Sequence, residues 1–92
     1  MATELDPSGI AVHPKTGELY LVSTKARLFM VLDPTGVVLR IEHLDRAVHP
    51  QPEGISFTAD GTMFISSEGR GGTAVLNRFS PAPENGAPSS ER

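Results

Sequence analysis

Two carboxylates are the residues best placed to do chemistry. Glu53 lies seven residues before Asp60, and Glu68 lies eight after it. Asp60-Gly61 is a strong hairpin signal, so the flanking segments fold back antiparallel and bring both acids to one end of the hairpin. Carboxylates with neighbouring carbonyl oxygens suit Ca²⁺, which takes about 6–8 oxygen ligands, so Glu53 and Glu68 alone make an incomplete set. The bland reading is that Arg70 neutralises the two acids, or that water solvates both. Arg70 belongs to Gly69-Arg70-Gly71-Gly72-Thr73-Ala74, which matches G-x-G-x-x-A as a string. Val75-Leu76 follows as a strand pattern, whereas phosphate cradling needs a helix N-terminus. The run therefore reads as an inter-strand loop in which Arg70 meets an anionic ligand or the two glutamates.

The three histidines do not form a metal-ligand pattern. His13 precedes a turn at Pro14, His43 ends a strand, and His49 lies in the connector before Pro50, with no H-x-H or H-x₃-H spacing. His13 and His43 read as turn and surface residues. His49 stays a ligand-binding candidate because of its place in the connector. A serine nucleophile is poorly supported: Gly54-Ile55-Ser56 lacks the second glycine of the elbow, having Thr58 there. P-loop, H-E-x-x-H and EF-hand patterns do not occur.

The elements that must position these residues are strands. Short apolar or alternating runs stand between turn signals, and no window shows helical periodicity free of Gly, Pro and β-branched runs. Strands are expected at Ile10–His13, Glu18–Ser23, Leu28–Leu32, Val37–Leu44, Ile55–Thr58, Thr62–Ser67 and Thr73–Phe79. Pro14–Gly17, Asp33–Gly36 and Ala59–Gly61 are the turns.

The pattern then restarts. Pro7-Ser8-Gly9-Ile10 aligns with Pro52-Glu53-Gly54-Ile55 at an offset of 45 residues, and Gly17–Ser23 aligns with Gly61–Ser67 at an offset of 44. A period near 44 residues carrying four short strands is the signature of β-propeller blades. Leu19–Val22 and Leu28–Leu32 are apolar on both faces, which demands cover on both sides, while the Arg40/Glu42 strand alternates as an outer edge should. The fold expected is all-β: two antiparallel meander blades of a partial propeller, the second lacking its outer strand. Residues 1–81 form this part, with blade one at about 6–45 and blade two at about 50–80, and 82–92 form a disordered tail rich in Pro, Ser and Ala. Glu53 and Glu68 then face the channel mouth, and Ser8 and Thr24 are their counterparts in blade one, so the acidic pair is an addition to the repeat.

Composition narrows the function classes. The chain has 92 residues, no cysteine, 8 Lys+Arg against 11 Asp+Glu and a net charge of −3. Disulfides and thiolate metal sites are excluded. The acidic balance argues against nucleic-acid or anionic-membrane binding. No apolar run approaches a membrane span, and Met1–Asp6 shows neither the basic nor the apolar region of a signal peptide.

Asp6–Tyr20, the Pro50-Gln51-Pro52-Glu53-Gly54-Ile55 segment and Ser67-Glu68-Gly69-Arg70-Gly71-Gly72 together resemble the SdiA-regulated β-propeller family over about Leu5–Phe79. The Pro-Gln-Pro-Glu-Gly and Glu-Gly-Arg-Gly-Gly strings carry most of that resemblance; Pro-x-Gly-Ile and Gly-x-Leu-Tyr are general to propellers. The resemblance implies the last two blades of a longer bacterial domain whose members are often exported or envelope-associated. It further implies a non-catalytic scaffold or ligand-binding module, with Arg70 and His49 toward a small anionic ligand. The alternative is part of a calcium-dependent propeller hydrolase of lactonase or phosphoesterase type, with Glu53 as metal ligand. Two isolated blades leave apolar faces uncovered, so the partners expected are the remaining blades or copies of the chain itself.

Overall fold

The computed structural model of the chain describes residues 6–69 and 72–81, and the backbone of 90–91. Its strands are β1 (Gly9–Val12), β2 (Leu19–Ser23), β3 (Leu28–Leu32), β4 (Val38–His43), β5 (Pro52–Phe57), β6 (Met63–Ser67), β7 (Val75–Phe79) and β8 (Ser90–Glu91). They form two antiparallel meanders of the order β1-β2-β3-β4 and β5-β6-β7-β8. The fold is all-β, as the turn spacing predicts, and consists of two partial propeller blades. Sheet two has three full strands. Its fourth place holds only the two-residue β8, which pairs with Arg78 and Phe79. Most of the expected 82–92 tail lies outside the described residues.

The turns close by side-chain chemistry. The Asp33 carboxylate accepts from Thr35 N (2.9 Å), Thr35 Oγ1 (2.7 Å) and Val37 N (2.9 Å), shaping the β3–β4 turn. Asp60 does the same between β5 and β6, accepting from Thr58 Oγ1 (2.5 Å) and Thr62 N (2.9 Å), while Gly61 takes a φ of 95°. Such Asx contacts replace backbone bonds where the chain reverses.

Several strand limits differ from the pattern by one to three residues, two of them for identifiable reasons. His13 drops out of β1 because its Nδ1 accepts from Lys15 N (3.1 Å) and caps the turn. β5 begins at Pro52, three residues earlier than Ile55, because Pro52 already pairs with Ser67 and a bulge at Glu53 restores the register at Gly54.

Strand pairing assigns the faces. Tyr20, Val22, Phe29 and Val31 share one face of sheet one and meet Met63 and Ile65 of sheet two. Val22 (0% exposed) and Ile65 (1%) are the best-buried apolar chains, each worth about 1.5–3 kcal/mol of transfer free energy. Tyr20 packs edge-on against Phe57, 4.9 Å between ring centroids. Burial raises the Tyr20 hydroxyl pKa, with Glu18 adding to the rise. The opposite face of sheet one carries Ile10, Val12, Leu19, Leu21, Met30, Leu32, Val38 and Ile41, with Ser23, Leu28 and His43 at one end.

At the inner edge, β1 and β5 approach closely. A Cβ on Gly9 would stand 3.0 Å from the Glu53 carbonyl oxygen and 3.2 Å from Gly54 Cα. This contact explains the glycine of the Pro-Ser-Gly-Ile string in steric terms.

Candidate functional site

Among the described residues, two places that bring polar groups together bear on function. The first is the end of the sheets where β1 and β5 begin. Ser8 Oγ donates to the Pro52 carbonyl (2.6 Å), and Thr24 Oγ1 donates to the same oxygen. Thr24 N in turn donates to Ser8 Oγ (3.2 Å). Two hydroxyls of sheet one thus hold the entry of sheet two's inner strand. Their counterparts in sheet two are Glu53 and Glu68. Glu53 occupies the bulge, and Glu68 follows β6 with its N–H donating to the Gln51 carbonyl (3.0 Å). Both acids therefore stand at one end of the β5–β6 hairpin, as the turn geometry predicts, and both are exposed. Among the described residues, no three acidic or histidine side chains converge as a metal-holding group. The Pro52 carbonyl at this end is already engaged, and two carboxylates fall short of the oxygens Ca²⁺ takes. Arg70, the expected anion contact, lies outside the described residues.

The second place is a cleft of about 220 Å³ between the two sheets, roofed by the connector Leu44–Gln51. Phe29, Met63, Ile65 and Phe79 line it with apolar surface; Arg40, Glu42, His43, Asp45 and His49 supply polar groups. Arg40 and Glu42, two apart on β4, share a face and pair through Nε and Oε2 at 2.9 Å. The Arg40 guanidinium also stands 5.3 Å from the Phe29 ring centroid, within cation–π range. His49 is buried at 5% exposure and stacks on Phe79 with ring centroids 5.9 Å apart and planes 13° apart.

The connector is held in place from sheet one. Arg27, in the β2–β3 turn at a φ of 55°, donates from Nη1 to the Pro50 carbonyl (2.9 Å) and from Nη2 to the His49 carbonyl (2.5 Å). Burial lowers the Arg27 pKa from its ordinary value, and nearby Arg46 adds to the fall. Within the connector, Asp45 accepts from Ala47 N through its carboxylate (2.9 Å) and from His49 N through its carbonyl (2.7 Å). Sequence reading picked out His49. It missed Arg27 and Phe79, whose contacts join residues more than 20 apart, and Arg40, whose contact with the Phe29 ring depends on the pairing of β3 with β4. Of the other two histidines, His13 has left its expected strand to cap the turn and packs on Phe57 with ring centroids 4.8 Å apart, and His43 ends β4.

The sequence model of the SdiA-regulated family matches residues 2–70. The chain belongs to the SdiA-regulated family. That match spans both sheets' inner strands, the Ser8–Thr24–Pro52 contact and the connector bearing His49. No curated protein and no solved structure matches the SdiA-regulated chain.

Proposed function

We propose that this SdiA-regulated chain acts without catalysis, as a propeller scaffold and ligand-binding module. The cleft between the sheets carries the reading. It combines an apolar floor with a guanidinium, two imidazoles and the carboxylates of Glu42 and Asp45, an apolar site with a few convergent polar groups. The ligand that suits it is a small planar molecule with an acidic group. Its ring would lie toward Phe29 and Phe79, and its acid toward Arg40 and His49. Arg70 is a further anion contact in this reading, and the remaining blades of a larger propeller are its partners.

Ligand-observed NMR with benzoate as the probe tests this. Binding is expected in the wild type, weakened about tenfold or more in Arg40→Gln through loss of a charge-assisted hydrogen bond, and unchanged in Glu53→Gln. Absence of benzoate saturation transfer at millimolar concentration overturns it. The calcium-dependent hydrolase reading rests on Glu53 and Glu68 sharing one hairpin end. It requires Ca²⁺ to raise the melting temperature through binding to the folded state, and Glu53→Gln to remove that rise.

A further inference from the structure

The charges around the cleft do not match a ligand that is acidic and nothing more. Arg40 and Glu42 pair with Val31 and Phe29 of β3, so both reach the cleft from one face of sheet one. They meet at 2.9 Å, and the guanidinium lies 5.3 Å from the Phe29 ring centroid. The guanidinium of the lining is thus already engaged by a carboxylate. Asp45 brings a second carboxylate to the same lining. The connector fixes it there: its carboxylate accepts from Ala47 N at 2.9 Å, and its carbonyl from Val48 N at 3.1 Å and His49 N at 2.7 Å. Arg27 feels the Asp45 charge, but its Nη1 and Nη2 donate to the Pro50 and His49 carbonyls.

An incoming acid has two routes to Arg40. It displaces Glu42, which leaves that carboxylate without its cation, or it joins Glu42 there and sets like charges side by side. Either way the lining keeps an uncompensated negative charge beside apolar walls, where water screens it less. A ligand that is only a cation has the opposite defect, since drawing Glu42 away strands the guanidinium. A ligand with an acid and an ammonium on one carbon answers both. It sets two opposite charges side by side, as Arg40 and Glu42 do, so opening that pair yields two new ones. The cleft, at about 220 Å³, is smaller than the roughly 300–1,000 Å³ of drug-sized pockets. That limits the ligand to one ring and a short charged tail.

We infer that the cleft takes an aromatic zwitterion of the α-amino acid type, its ring toward Phe29 and Phe79, its carboxylate on Arg40 and its ammonium on Glu42. Asp45 adds to the attraction for the ammonium. Glu42 is then the residue that selects against purely acidic ligands, by repulsion as well as by its own contact. The inference rests on the ligand-binding reading proposed above and narrows its ligand class.

Ligand-observed NMR on the wild-type chain compares three probes: L-phenylalanine with both charges, benzoate with the acid alone and phenethylamine with the ammonium alone. Measurement at about pH 8 keeps imidazole charge out of the comparison. Phenylalanine is expected to bind about tenfold or more tightly than either single-charge probe, through its additional charge-assisted contact. Glu42→Gln keeps the side chain's size and removes its charge. It should weaken phenylalanine and strengthen benzoate, so the preference narrows or reverses; far-UV circular dichroism checks the fold of the variant. Benzoate binding with no gain for phenylalanine overturns the inference and leaves the ligand-binding reading standing. Binding of no probe overturns both. Phenethylamine matching phenylalanine overturns the inference, since Arg40 then contributes nothing. A folded Glu42→Gln chain with the wild-type preference overturns it as well, and where that variant does not fold the wild-type comparison decides alone.

Discussion

Removing Arg27 should release the connector that roofs the cleft. Its guanidinium makes two hydrogen bonds, to the Pro50 carbonyl at 2.9 Å and the His49 carbonyl at 2.5 Å. Hydrogen bonds to charged groups contribute about 1.5–3 kcal/mol each. Arg27 is half-buried rather than enclosed, so water screens the charge and the lower end applies, giving about 3 kcal/mol for the pair. Arg27→Met keeps an apolar stem of similar length and removes both donors. A small domain loses about 4–8 °C of melting temperature per kcal/mol, so its Tm should fall by more than about 10 °C. Arg27→Lys reaches one carbonyl with a point charge and should lose about half as much. Thermal melts followed by far-UV circular dichroism measure both. Amide exchange at His49, whose N–H donates to the Asp45 carbonyl at 2.7 Å, reports the connector itself. It should quicken in Arg27→Met. A variant melting within about 2 °C of wild type, with unchanged exchange at His49, would refute the reasoning.

Gly9→Ala places a Cβ 3.0 Å from the Glu53 carbonyl oxygen; the inner strands must part, at a cost of about 1–3 kcal/mol, and an unchanged melt would contradict this. Thr24→Val removes one of two hydroxyls on the Pro52 carbonyl and should cost about 1 kcal/mol. Adding Ser8→Ala strands the carbonyl, so the double loss should exceed the sum of the single losses in a double-mutant cycle. Hydrogen bonds from Thr58 and Thr62 hold the Asp60 carboxyl at a pKa of about 2, below its ordinary 3.8. Its contribution is full above the ordinary value and lost as pH falls through about 2, so Asp60→Asn should flatten the acid limb of the stability profile over that window. Millimolar Ca²⁺ should leave the Tm of wild type and Glu53→Gln alike; a rise seen in the wild type alone would favour the metal reading.

The sequence carried much of the fold because local chemistry makes it. Asp33 and Asp60 each close a turn with their own carboxylate, so those reversals are written within four residues. The apolar runs Leu19–Val22 and Leu28–Leu32 demanded cover on both sides, and one side is found against Met63 and Ile65. Glu53 and Glu68 share a hairpin end because the Asp60 turn leaves them no other arrangement. The cleft was not legible in this way. It depends on Arg27 reaching across more than 20 residues to the connector, and on His49 meeting Phe79 from the other sheet. Neither contact leaves a periodic trace. The early start of β5 was hidden for a similar reason: proline at its first position reads as a break, yet its carbonyl is what Ser8 and Thr24 hold.

The most direct test of the account is a residue-resolved amide NMR titration of the wild-type chain with benzoate. The account predicts shifts concentrated at Phe29, Arg40, His49 and Phe79, the walls of the cleft between the sheets. Shifts confined to Glu53, Glu68 and their hairpin end, or none at all, would contradict it.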